Sequence, residues 1–177
     1  MRLNINDRTV EVLLSEETLR QRVAELGAQL SVDYAGKDLV MLVVLKGSML
    51  FAADLCRHIT APLSMEFMGL SSYGDSTETS GEVQVTLDLT KPVKHRDVLI
   101  VEDIVDTGLT MRYLLKNLAA REPASLKVCT LLEKPERKRV EVPLDYVGFV
   151  IPDHFVIGYG LDLDQKFRNL PFIGRVV

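Results

Sequence analysis

An α/β protein built on a mainly parallel sheet is what this sequence predicts. Three observations carry the expectation. Strand-like and helix-like segments alternate through the middle of the chain. The strand-like segments are continuous apolar runs, the pattern of strands buried on both faces. Charged or Gly/Ser/Thr-rich stretches follow them, at the sheet edge where such folds bind ligands.

The elements follow in order. Residues 16–34 carry Leu19, Val23, Leu26 and Leu30 at helical spacing, with Ser15 as the N-cap. DLVMLVVL (38–45) is apolar and β-branched, a buried strand. GSMLFAADLCRHI (47–59) returns to a helical period, and LSMEFMGL (63–70) is a strand. Residues 71–82, SSYGDSTETSGE, are polar apart from Tyr73, and a loop of that length is more often functional or mobile than structural. DVLIV (97–101) is a strand. LTMRYLLKNLAAR (109–121) is a helix with Met111, Leu114, Leu115 and Leu118 as its apolar stripe. SLKVCTLL (125–132), DYVGFVI (145–151) and FVIGYG (155–160) are further strands.

Bulk properties narrow the function classes. The 177 residues suit one domain with a sizeable core, 47% of them hydrophobic and 26% charged. A net charge of -4 with scattered Lys and Arg argues against a nucleic-acid partner. Cys56 and Cys129 are too few for a disulfide framework or a zinc site, and the three histidines lack ligand spacing. No apolar run reaches the roughly 18 residues of a membrane span, and the N-terminal MRLNINDRTV has no targeting pattern. The expected setting is the cytoplasm, with no membrane partner.

The chemistry concentrates in VLIVEDIVDTGLTM (98–111). Glu102, Asp103 and Asp106 lie within five residues, directly before Thr107-Gly108-Leu109-Thr110. Carboxylates repel phosphate, so both features serve one ligand only if a metal ion or a polyhydroxylated sugar sits between them. Read alone, residues 106–110 are either an anion-binding helix start or an ordinary capped one. The acidic pair after a buried strand suits Mg²⁺ held through water, or vicinal hydroxyls. Its Glu-Asp-x-x-Asp spacing differs from the Asp-x-Asp pair of certain phosphatases.

This stretch resembles the phosphoribosyl pyrophosphate motif of the type I phosphoribosyltransferases, and its Glu-Asp-Ile-Val-Asp-Thr-Gly form resembles the hypoxanthine-guanine branch. The resemblance runs from about Val40 to Leu170. It takes in VLKGSMLF (44–51), LSSYGDST (70–77), LLEKPER (131–137) and DHFVIGYGLD (153–162), in the family's order. The bacterial members are the more similar ones in the polar 71–82 stretch.

The resemblance implies a fold and a division of labour. The fold is the type I phosphoribosyltransferase fold: about five parallel strands flanked by helices, in one domain over residues 1–177. A small hood comes from the N-terminal strand and the region after about residue 134. Glu102 and Asp103 would hold the ribose hydroxyls and Mg²⁺, and Thr107, Gly108, Leu109 and Thr110 the 5′-phosphate. Asp106 would be the general base at purine N7. Lys46, Gly47 and Arg168 would bind pyrophosphate, with a cis peptide between Leu45 and Lys46. Ser72 and Tyr73 would close a flap that excludes water from the oxocarbenium-like centre. Lys134 would meet the purine O6, Phe155 would stack on the base, and the Val156 backbone would read its edge. Asp162 would ligate a second Mg²⁺ beside the base. Leu109 and Ser71 stand where some members carry lysine, which removes two phosphate contacts.

Each of these residues also has a plainer reading: Lys46 as a charge ending a strand, Phe155 and Val156 as core, Asp162 as a solvated turn residue, Arg168 as a surface cation. The activity implied is transfer of phosphoribose from 5-phosphoribosyl 1-pyrophosphate to hypoxanthine or guanine, giving IMP or GMP and pyrophosphate. A homodimer or homotetramer is implied as well. The rivals are a xanthine-preferring enzyme of the same fold and a non-catalytic sensor of the sugar pyrophosphate.

Overall fold

The computed structural model describes residues 2–5, 8–72 and 83–177. Its larger sheet has six strands: β3 (Leu39–Leu45), β4 (Leu63–Ser72), β5 (Val83–Leu87), β6 (Asp97–Val105), β7 (Ser125–Glu133) and β8 (Tyr146–Val150). They lie in the order β5-β4-β3-β6-β7-β8. Five of them, β4, β3, β6, β7 and β8, are mutually parallel. Only the edge strand β5 runs antiparallel, returning along β4 after the polar stretch. That strand was not foreseen, because VQVTL is short and its exposed positions break the apolar run.

Alternation along β3 explains why it reads as a solid apolar run. Leu39, Met41 and Val43 point into one core, and Val40, Leu42 and Val44 into another. In a strand successive side chains face opposite ways, so a strand covered on both sides needs apolar residues at every position. The first core is closed by α1 (Glu16–Asp33) and α2 (Met49–Cys56) through Leu19, Leu26, Leu30 and Phe51. The second is closed by α3 (Leu109–Ala119) through Met111, Leu114 and Leu118. Ser15 caps α1, its hydroxyl accepting from the Thr18 amide at 3.1 Å.

A smaller sheet joins the two ends of the chain. It consists of β1 (Arg2–Ile5), β2 (Arg8–Leu14), β9 (Val156–Ile157) and β10 (Ile173–Val176), ordered β1-β2-β10-β9 and antiparallel throughout. Of the region after residue 134, β8 belongs instead to the larger sheet, through Cys129 opposite Tyr146. Ile173 and Val156 enter the first core, so this sheet packs on the α1/α2 side.

Two element boundaries differ from the sequence reading. The strand expected over 97–101 continues to Val105, because Glu102, Ile104 and Val105 keep register with Thr130, Leu132 and Glu133 of β7. Glu102 and Asp103 therefore sit within β6 rather than after it. The strand expected over 155–160 ends at Ile157. Gly158, Tyr159 and Gly160 all have positive φ (98°, 49° and 101°), which no ladder accommodates. Among the described residues no helix is long and apolar enough to cross a membrane.

Candidate functional site

Three parallel strands end along one edge of the larger sheet and release the segments that matter. Beyond β3 lie Lys46 and Gly47, beyond β6 the 106–110 turn, and beyond β7 Lys134 with a 3₁₀ turn at Pro135–Arg137. The carboxyl end of β4, at Ser71 and Ser72, reaches the same edge. Tyr73 and the rest of the expected flap, residues 73–82, lie outside the described residues, as does the side chain of Ser72.

A cleft of about 300 Å³ opens between these ends. Lys46, Gly47, Glu102, Asp103, Asp162 and Arg168 are on its walls, together with Thr110 and Ser71. A smaller recess of about 80 Å³ adjoins it, bounded by Glu102, Asp106, Thr107, Gly108 and Thr110. Residues scattered over more than 120 positions thus meet in two connected hollows. A larger cavity of about 610 Å³ lies elsewhere, between α1, α2 and residues 169–171, and none of the site residues expected from the sequence line it.

The acidic pair is electrostatically loaded. Glu102 is only 8% exposed. Burial first, and the neighbouring Asp103 second, push its carboxyl well above the usual carboxylate range. Asp103 is held by the amide of Ile104, which donates to Oδ1 at 2.7 Å, while the Asp103 amide donates to Glu102 at 3.1 Å. Burial raises the Asp103 carboxyl too, opposed in part by its bond with Glu102 and by the charge of Arg168.

Across the cleft the Leu45–Lys46 peptide is cis. The Lys46 ammonium donates to Gln165 Oε1 at 3.2 Å. Arg168 pairs with Asp162 at 2.9 Å and donates to the carbonyl of Gly160 at 2.7 Å. Gln165 Oε1 also takes a contact from Arg168 at 3.3 Å, and the Gln165 backbone N–H donates to Asp162 Oδ2 at 2.8 Å. Gln165 is thus a tie between both cations and Asp162, a role its sequence neighbourhood did not suggest.

At the 106–110 turn, Gly108 is the N-cap of α3, with φ 82°, and no side chain caps the helix. An ordinary start capped by Asp106 or Thr107 does not form. The Thr107 hydroxyl reaches only the Leu109 amide, at 3.4 Å, and its carbonyl accepts from Arg139 and Val140 at 3.0 and 3.3 Å. Beyond the Leu109 amide, the first-turn amides have no capping side chain, and such amides are where helices bind anions.

The three residues expected to read a base do not line either hollow. Lys134 is 6% exposed, with its ammonium 3.5 Å from Asp153. Phe155 is 55% exposed, and Val156 is buried in β9. Lys134 is nonetheless linked to Asp106. Arg137 stands 3.0 Å from Asp106 and 3.6 Å from Asp153, so acids and bases alternate along the link. Arg137 and Asp153 had no role in the sequence reading, although LLEKPER and DHFVIGYGLD contain them. Their pairing depends on how three loops come together.

Could a metal fit? Among the described residues no three His, Cys, Asp or Glu side chains converge tightly enough to hold an ion by themselves. Both Asp162 oxygens are engaged, as described. Glu102, Asp103 and Asp162 do face one cleft. That suits Mg²⁺, which takes one or two carboxylates and completes its shell with water and ligand phosphates.

A parallel α/β sheet with an acidic strand end beside an uncapped helix start, and cations opposite, defines a protein that binds its ligand at the carboxyl edge. The phosphoribosyl transferase domain model matches residues 9–164, and the chain belongs to that family. It is 52% identical over 171 residues to a hypoxanthine-guanine phosphoribosyltransferase of Mycobacterium tuberculosis, covering 93% of this chain and 85% of that protein. It is 47% identical to the hypoxanthine phosphoribosyltransferase of Salmonella typhimurium, covering 96% of each. The crystal structure of a Staphylococcus aureus hypoxanthine phosphoribosyltransferase superposes with TM-score 0.91 at 48% identity, covering 94% of this chain and 91% of that one.

Proposed function

We propose that this chain transfers the phosphoribosyl group of 5-phosphoribosyl 1-pyrophosphate to hypoxanthine or guanine, releasing IMP or GMP and pyrophosphate. The observation that carries the reading is the single cleft in which Glu102, Asp103, Lys46, Gly47, Asp162 and Arg168 meet, next to the uncapped start of α3. The names of its relatives support the choice of base.

In this reading the 5′-phosphate rests on the Thr107–Thr110 turn, with Gly108 allowing the backbone to approach it. Glu102 and Asp103 hold the ribose hydroxyls. Lys46, the Gly47 amide and Arg168 take the pyrophosphate. Glu102 and Asp103 would hold one Mg²⁺ and Asp162 a second, and such ions would offset the charge of the departing pyrophosphate. The bond from C1 of the ribose to pyrophosphate breaks as the purine nitrogen bonds to C1, and Asp106 takes the proton from N7. Lys134 donates to O6, Phe155 stacks on the base, and the backbone of Val156 reads its edge. Ser72 and Tyr73 belong to the flap that excludes water. The smaller sheet serves as a hood over the base within one phosphoribosyltransferase domain. The setting is the cytoplasm and the working form a homodimer or homotetramer, in line with the resemblance.

Turnover of hypoxanthine, guanine, xanthine and adenine, with and without Mg²⁺, tests the reading. Chromatography should detect IMP and GMP, only when Mg²⁺ is present. Product from xanthine alone would replace the base assignment. Binding of the sugar pyrophosphate with no product from any base would make the chain a sensor instead.

A further inference from the structure

We propose that Asp153 is a positioning residue for base recognition, acting on the purine through Lys134. The proposal rests on the 6-oxopurine reading of the site and adds to it a residue outside the cleft. Among the described residues, Asp153 is the one acidic group within salt-bridge distance of the Lys134 ammonium, at 3.5 Å. Lys134 is nearly fully buried, whereas Asp153 keeps a side-chain exposure of 43%. The same Asp153 oxygen, Oδ1, also faces Arg137 Nη1 at 3.6 Å.

A buried ammonium with one carboxylate partner is held in place by it, because an uncompensated charge there is costly. The Lys134 backbone is fixed separately, its amide donating to Val105 at 3.1 Å. What remains free is the direction of the side chain, and Asp153 sets it. Arg137 stands between Asp153 and Asp106, but Asp106 Oδ1 accepts no hydrogen bond from it, so the control exerted by Asp153 ends at Lys134. One carboxylate on the loop after β8 thereby aligns the group for O6.

A double-mutant cycle with binding readouts tests this. Calorimetry would measure the affinity of Asp153→Asn, Lys134→Met, the double variant and the unsubstituted chain for IMP and for ribose 5-phosphate, which lacks the base. Asp153→Asn should weaken IMP by about 10–100-fold, within the coupling range of residues paired in one ion-pair network. Ribose 5-phosphate should bind within about twofold of the unsubstituted chain, and Asp153→Glu should recover part of the IMP affinity. In the Lys134→Met background, Asp153→Asn should cost less than about twofold, since contacting residues are non-additive. Additive losses, or equal weakening of IMP and ribose 5-phosphate, would show Asp153 to be a general brace and overturn the proposal. If the unsubstituted chain binds IMP no better than ribose 5-phosphate, the 6-oxopurine reading itself falls, and the proposal with it.

Discussion

Gly47 and Asp103 share one space: a methyl group on residue 47 would lie 1.5 Å from Asp103 Oδ2. The backbone after β3 can pass the acidic pair of β6 only because residue 47 has no side chain. The obstructed atom is the end of a side chain, so Asp103 can swing aside at little cost to the fold. Gly47→Ala should therefore leave the melting temperature within a few degrees while lowering kcat/KM for the sugar pyrophosphate by about 10² or more, since misplacement by about 1 Å can cost that much. Thermal melts beside initial rates check it. A collapse in stability at unchanged kcat/KM would mean that the contact serves only packing.

Asp106 and the Glu102–Asp103 pair should separate in their effects. In the proposed reading Asp106 is the base at N7, contributing to proton transfer and little to holding the sugar. Asp106→Asn should lower kcat by about 10²–10⁴, the usual worth of general acid–base catalysis. Calorimetric affinity for the magnesium complex of 5-phosphoribosyl 1-pyrophosphate should survive within a few-fold. Replacing Glu102 and Asp103 together by Ala should weaken that affinity directly. Should Asp106→Asn lose binding as badly as the double variant at full saturated turnover, the base lies elsewhere.

Glu102 should cost the fold stability at neutral pH. Its carboxyl is raised by burial and by Asp103, so the native chain keeps a proton that the unfolded chain releases. Stability then falls as pH rises from the ordinary carboxylate value, about 4.3, towards the raised one. Gln at this position has no proton to lose. In EDTA, Glu102→Gln should melt above the unsubstituted chain at pH 8 and close to it at pH 4. Each kcal/mol recovered would appear as roughly 2–4 °C. A difference that does not vary with pH would contradict the raised carboxyl.

Adenine should be a very poor substrate. In the proposed reading Lys134 donates to the O6 carbonyl of hypoxanthine, and it would oppose the exocyclic amine of adenine. Mismatched polar groups in a buried site discriminate by about 10⁴. Comparable kcat/KM for adenine and hypoxanthine would remove Lys134 from the base site.

Much of this architecture was legible because its causes are local. Ser15 and the spacing of Leu19, Val23, Leu26 and Leu30 define α1 by contacts within a few residues. The unbroken apolar run of β3 reports burial on two faces, and the Glu102-Asp103 to Thr110 stretch announces its chemistry by proximity along the chain. The cis Leu45–Lys46 peptide came from resemblance, since nothing in the composition of Leu-Lys requires it. Distant pairings came only from tertiary structure. The order β5-β4-β3-β6-β7-β8 places the loop after β3 beside the end of β6, and so Gly47 against Asp103. The turn at 158–160 brings Gly160 against the Gly47 carbonyl, and the loops after β6, β7 and β8 set Asp106, Arg137, Asp153 and Lys134 in a row. Periodicity and capping depend on neighbours in sequence, which the chain displays directly. Which strand lies beside which is decided by packing both faces of one sheet at once, and no local stretch encodes that.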